Sequence, residues 1–207
     1  MIISFLTGVL ASSLHVVSGP DHLAAVTPLA IEGKNRSWFI GFTWGLGHTL
    51  GVFLIGILFI LFRDLIPVDI ISMYSEKIVG VLLIIIGLWV FYRIFFNKSH
   101  KHSFTGKNDA WTSLGVGLIH GLAGVSHLIG ILPSLALPTR ADSIAYVLGF
   151  GAGTILTMVI YSVIMGFISQ SVEARNQKKL LLAVRVTGSL AAVAVGIFWI
   201  YQAGGAH

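Results

Sequence analysis

Six polar side chains stand inside stretches that are otherwise apolar: His15, Asp21, His22, His48, His120 and His127. A charged group at the centre of a bilayer costs about 2.5–3.5 kcal/mol even on the insertion scale. Such groups therefore face a bundle interior and have partners. One lone histidine in such a place reads as interhelical glue. Five histidines with one aspartate ask for more. Neutral imidazoles with a single carboxylate suit borderline divalent metals. No thiolate is present for Cu(I), and the oxygen-rich shells of Mg(II) and Ca(II) are missing, so Ni(II), Co(II), Zn(II) and Cu(II) remain. A histidine proton relay is a second reading, compatible with the first because metal binding displaces protons from histidine.

Spacing says how these groups could meet. In "HVVSGPDHLAAV", His15 and His22 are seven residues apart. A straight helix would separate them by about 10 Å along its axis, too far to share an ion. Gly19 and Pro20 interrupt that helix, since proline has no N–H and clashes with the preceding turn. The break frees carbonyls and lets Asp21 and His22 fold back toward His15. A half-helix C-terminus suits a cation, whereas the N-terminus of the second half does not, and Asp21 would offset it. The segment "HGLAGVSH" carries the second pair, His120 and His127, with Ser126 where the first has Asp21. In "GLGHT", His48 and Thr49 follow Gly45 and Gly47, glycines that permit close helix approach.

These groups must be positioned by membrane helices. Hydrophobic residues make up 56% of the 207-residue chain and charged residues only 10%, too few to clothe a water-facing surface. The expected fold is an all-α integral membrane protein with six spans: 2–17 continued by 20–31, then 38–62, 78–96, 113–137, 144–169 and 180–203. Six spans place Lys34, Arg36, Arg93, Lys98, Lys101, Lys107, Arg175, Lys178, Lys179 and Arg185 on one side, and Arg63, Lys77 and Arg140 on the other. The excess of Lys and Arg marks the cytoplasm, so both termini are expected outside it, in a cell (inner) membrane. The net charge of +5 is thus topology and not nucleic-acid binding. Residues 1–14 hold no Lys or Arg, so no cleaved signal peptide is expected. With no cysteine, disulfides, iron–sulfur clusters and dithiol electron carriers are excluded.

Sliding the chain by 105 residues lays Thr7 on Thr112, His15 on His120, Gly19 on Gly124, His22 on His127, Leu23 on Leu128, Pro28 on Pro133 and Thr49 on Thr154. Two three-helix repeats follow, 1–97 and 112–207, joined by a cytoplasmic linker 98–111 that carries His100 and His102. Three is odd, so the second repeat enters the membrane inverted, a transporter architecture with its site where the halves meet.

His15, the Asp21–His22 pair and Ala24–Ala25, followed by Gly47-His48-Thr49, resemble two signatures of the nickel/cobalt transporter superfamily. The chain is most similar to its short, six-helix, urease-accessory-like (UreH-type) branch. The resemblance implies a permease for Ni(II) or Co(II), with His15, Asp21, His22 and His48 in metal selection and passage. Five residues, from Val16 to Pro20, separate His15 from Asp21, where the best-known members have four. The expected function is therefore secondary transport of a divalent metal, with uptake favoured. Efflux of Ni, Co, Zn or Mn, haem binding and small-solute export are the alternatives. No Walker-type phosphate loop is present, so no nucleotide is expected; nor is haem expected as a cofactor, or an enzymatic activity. Expected partners are the lipid bilayer and the metal ion; a cytoplasmic metal-accepting protein and an oligomer are left open.

Overall fold

Inside a bilayer the backbone has no water to bond, so an apolar chain closes its hydrogen bonds within helices. The computed structural model describes residues 1–62, 68–96, 107–122 and 130–204, and among these there is no strand. Its helices are α1 (Ile2–Ser18), α2 (Pro20–Gly33), α3 (Ser37–Phe62), α4 (Val68–Phe95), α5 (Lys107–Leu122), α6 (Arg140–Ala174) and α7 (Lys178–Gly204), with short 3₁₀ turns at Lys34–Arg36 and Leu132–Ala136. The segments Pro20–Leu58, Glu76–Phe95, Arg140–Ala174 and Lys178–Gly204 are long and apolar enough to cross a membrane, and α1 is a shorter apolar helix. The protein is an all-helical integral membrane protein. His100, His102, Ser126, His127 and His207 lie outside the described residues.

Several helix ends differ from the expected ones. α4 starts at Val68 and not at 78, α5 starts at Lys107 within the expected linker, and α6 runs on to Ala174. Hydropathy marks where hydrocarbon ends, whereas helical hydrogen bonding continues into the polar interface. The start of α6 is fixed by a cap: the Thr139 side chain accepts from the Asp142 N–H at 3.1 Å. Of the fourth expected span, 113–137, the described part is helical as far as Leu122, and from Leu132 it is a 3₁₀ turn with Pro133 in its first positions.

The helices pair across the sequence: α1 along α6, α3 along α5 and α4 along α7, with α3 also against α6. Named contacts give their directions. Ser4 meets Asp142, Phe5 lies by Gly149 and Ser13 bonds Thr157, so α1 and α6 run parallel. Ile40 meets Ser113, Trp44 lies by Gly117 and His48 by Gly121, so α3 and α5 are parallel too. Gly80 lies by Gly196 and Gly87 by Ser189, so α4 and α7 are antiparallel. Exchanging α1, α3 and α4 with α5, α6 and α7 leaves this pattern of partners and directions unchanged.

Small residues make the close pairs possible. A Cβ on Gly47 would strike the Leu114 carbonyl, and one on Gly117 the Trp44 carbonyl, so α3 and α5 touch backbone to backbone. The buried set includes Ser12, Asp21, His22, His48, Thr154 and Ser162, whereas Leu10, Leu14, Leu54, Ile85 and Phe198 face outward. Polar groups inside and leucines outside is the arrangement hydrocarbon selects. In the last turn of α2, Glu32 meets Arg185 of α7 at 2.9 Å, and just past its end the Lys34 ammonium meets Glu173 of α6 at 2.7 Å.

Candidate metal centre

The centre is built around Gly19. α1 ends at Ser18, and Gly19, extended at φ −87° and ψ 101°, serves as the C-cap of α1 and the N-cap of α2. Pro20 sits at the start of α2, where its missing N–H costs nothing. The proline therefore begins a new helix and does not kink an existing one. The His15 carbonyl closes the end of α1: it accepts from the Gly19 N–H at 3.0 Å and from the Ser18 hydroxyl at 3.2 Å. What the break does is turn the chain, so that His15 in the last turn of α1 faces His22 in the first turn of α2. Their ring centroids are 4.8 Å apart, with the planes at 81°.

His22 is the hub. It lies 5.0 Å from His48 of α3 and 5.0 Å from His120 of α5, ring to ring, and His48 lies 5.6 Å from His120. His22, His48 and His120 are each at most 1% exposed. Asp21 sits between two of them: one carboxylate oxygen is 3.1 Å from His22 Nδ1 and the other 3.1 Å from His120 Nε2. The carboxylate is buried in the first turn of α2, where the helix N-terminus adds partial positive charge. Five of the six expected site residues, drawn from α1, α2, α3 and α5, thus meet in one place.

Two overlapping groups could hold a cation. In His15–His22–His48, and again in Asp21–His22–His120, one ligand atom from each residue lies within 4.8 Å of the others. Ligands on bonds of about 2 Å are at most about 4 Å apart, so ring rotations of under roughly an ångström would close either group on an ion. Thr49 is buried on α3 but turns to Gly151 of α6, away from the rings.

Two neighbours were not expected from the sequence. Trp44, fully buried, stacks on His48 at 5.0 Å and 7° and also touches His120 at 5.4 Å and His22 at 5.9 Å. Phe150 of α6 covers His15 at 6.0 Å. Trp44 stands four residues before His48, one turn back on the same face, which is the signal that could have found it.

Gly19 itself makes a prediction. Its backbone angles suit any residue, so space is what demands glycine: a Cβ there would overlap His22 Nδ1 and come within 2.9 Å of the Asp21 carboxylate. Gly19→Ala is expected to weaken divalent-metal binding by about 10–100-fold, the range for disturbing an orienting partner. Isothermal titration of the purified protein checks it, and unchanged affinity would show that the turn does not hold His22 in place.

The chain is similar to several known proteins. A family model described as "Cytochrome C biogenesis protein transmembrane region" matches residues 3–197. The "Chloroplast protein FOR GROWTH AND FERTILITY 2" of Arabidopsis thaliana is 32% identical over 204 residues, covering 92% of this chain and 54% of its own length. The "Urease accessory protein UreH" of Bacillus sp. (strain TB-90) is 30% identical over 200 residues, covering 89% of this chain and 85% of its own. The "Putative nickel/cobalt efflux system" of Methanocaldococcus jannaschii is 26% identical over 157 residues, covering 74% of this chain and 71% of its own. The chain spans about half the length of its two Arabidopsis relatives, 54% and 56%. No solved structure matches.

Proposed function

Because the chain belongs to the cytochrome c biogenesis transmembrane-region family and to the UreH-type branch of the nickel/cobalt transporter superfamily, we propose that it moves a divalent transition-metal ion across the membrane, Ni(II) or Co(II) first. The ion is the substrate of a secondary transporter and passes through His15, Asp21, His22, His48 and His120, with His127 a further ligand. The observation that carries this reading is the convergence of five polar residues from four helices on one buried point. The name of the Methanocaldococcus jannaschii relative, a nickel/cobalt efflux system, points the same way. Dithiol chemistry does not fit, since the chain has no cysteine. Haem fits poorly, because imidazoles in ring contact leave no gap for a macrocycle between them. The purified protein should accordingly lack a Soret band.

Uptake is the proposed direction, into the cytoplasm of a cell bounded by the membrane this protein crosses. His100 and His102 on the linker would receive the ion or pass it to an accepting protein. The efflux system among the relatives favours export as the second reading. Flux into proteoliposomes, loaded from either side with Ni(II), Co(II), Zn(II), Mn(II) or Cu(II), tests both. Accumulation of Ni(II) or Co(II) well above protein-free vesicles is expected, and no movement of any of these ions in either direction would refute the proposal.

A further inference from the structure

α2 carries a second carboxylate. Glu32 stands eleven residues after Asp21, close to three helical turns, so the two acids lie on one face. Ala25 and Pro28 stand between them on that face, at the i+4 and i+7 positions. Asp21, Ala25 and Pro28 are buried, and the Glu32 side chain is 11% exposed. Eleven residues span about 16 Å of helix, half of a hydrocarbon core about 30 Å thick. With the histidine centre near the midplane, Glu32 stands at the edge of the membrane, on the side where Lys34 and Arg175 lie.

Glu32 is poorly placed for helix stability. It sits in the last turn of α2, where the partial negative charge of the helix end disfavours an acid. The same combination attracts a cation, and Arg185 of α7 supplies one at 2.9 Å. Among the described residues the Arg185 Nε makes no hydrogen bond, so at that atom charge, and not a directed bond, holds the pair. A metal ion can replace a charge. The face between the two acids carries no long side chain to be pushed aside. Pro28, inside the helix, also has no N–H to give the Ala24 carbonyl, so that oxygen lacks its usual helical donor.

We propose that the transported ion passes between the histidine centre and this edge of the membrane along the Asp21–Ala25–Pro28–Glu32 face of α2. Glu32 is its transient ligand there, and Arg185 holds the carboxylate when no ion does. The identity of the ion rests on the transport reading above. A single carboxylate holds a divalent ion weakly, and weak sites in series are what passage requires. A pair that only tied α2 to α7 would need both of its charges equally, whereas a station for a cation needs the acid.

The test compares Glu32→Gln, Glu32→Asp and Arg185→Gln for Ni(II) binding, by titration of the purified protein, and for Ni(II) flux into proteoliposomes. Glu32→Gln is expected to keep its Kd within about threefold of native while losing flux by about 10-fold or more, the split left by removing an interaction made only during passage. Glu32→Asp, which keeps the charge, and Arg185→Gln, which keeps the acid, should both retain flux within about threefold of native. Equal losses of flux in Glu32→Gln and Arg185→Gln would make the pair a tie between helices and overturn the proposal. Native flux in Glu32→Gln, or failure of that variant to bind Ni(II), would overturn it as well. A native protein that moves no divalent metal would instead sink the transport reading, and this proposal with it.

Discussion

His22→Ala is expected to lower metal flux into proteoliposomes by roughly 100-fold or more, to the level of protein-free vesicles. Loss of a mere orienting partner costs about 10–100-fold in metal affinity, and His22 belongs to both candidate triads. Among the described residues both candidate groups contain it, and its ring lies 4.8 Å from that of His15 and 5.0 Å from those of His48 and His120. The substitution also strips one of two hydrogen bonds from the buried Asp21, at a cost of about 1–3 kcal/mol. Folding is therefore followed beside flux. Leu14→Ala, on the lipid-facing side of α1 at 62% exposed, is the control and should transport normally. Flux in His22→Ala within a few-fold of native, with the protein folded, would remove the cluster from the pathway.

The second large effect concerns the frame that holds His48 to His120. A methyl added at Gly117 would meet the Trp44 carbonyl and sit 3.0 Å from the His48 N–H, driving α5 off α3 where the rings of Trp44, His48 and His120 touch. Overpacking of this kind costs about 1–3 kcal/mol. For a chain of this size Gly117→Ala should lower Tm by about 2–12 °C and reduce flux in parallel. Two residues earlier on the same helix, a Cβ on Gly115 would meet nothing within 4 Å. Gly115→Ala should leave both Tm and flux near native. Equal effects at the two positions would mean that general helix properties, and not the contact with α3, set the outcome.

Much of this arrangement was legible in the sequence because hydrocarbon is an unforgiving solvent. A histidine or aspartate there has to be explained, so His15, Asp21, His22, His48 and His120 stood out, and Gly19-Pro20 announced a turn between two of them. Spacing alone could not say which way a ring points. That Asp21 reaches across to His120, a residue 99 positions away, depends on α3 and α5 packing backbone to backbone, and the pattern of Gly47, Gly51, Gly117 and Gly121 only hinted at that. Trp44 and Phe150 carry no such signal, because an aromatic residue in a membrane span needs no explanation. The early start of α5 is hidden for the opposite reason: its first turn begins Lys107-Asn108-Asp109, and hydropathy reads polar residues as loop. Thr49 and His48 are neighbours in sequence, but a helix sends adjacent side chains about 100° apart, and Thr49 turns toward α6.

The most direct test of the whole account is to locate the ion. Crystals of the protein loaded with Ni(II), Co(II) or Zn(II), measured at the absorption edge of the metal, should give an anomalous peak among the rings of His15, His22, His48 and His120, beside Asp21. A peak elsewhere in the bundle, or loaded crystals with no peak at these rings, would contradict it.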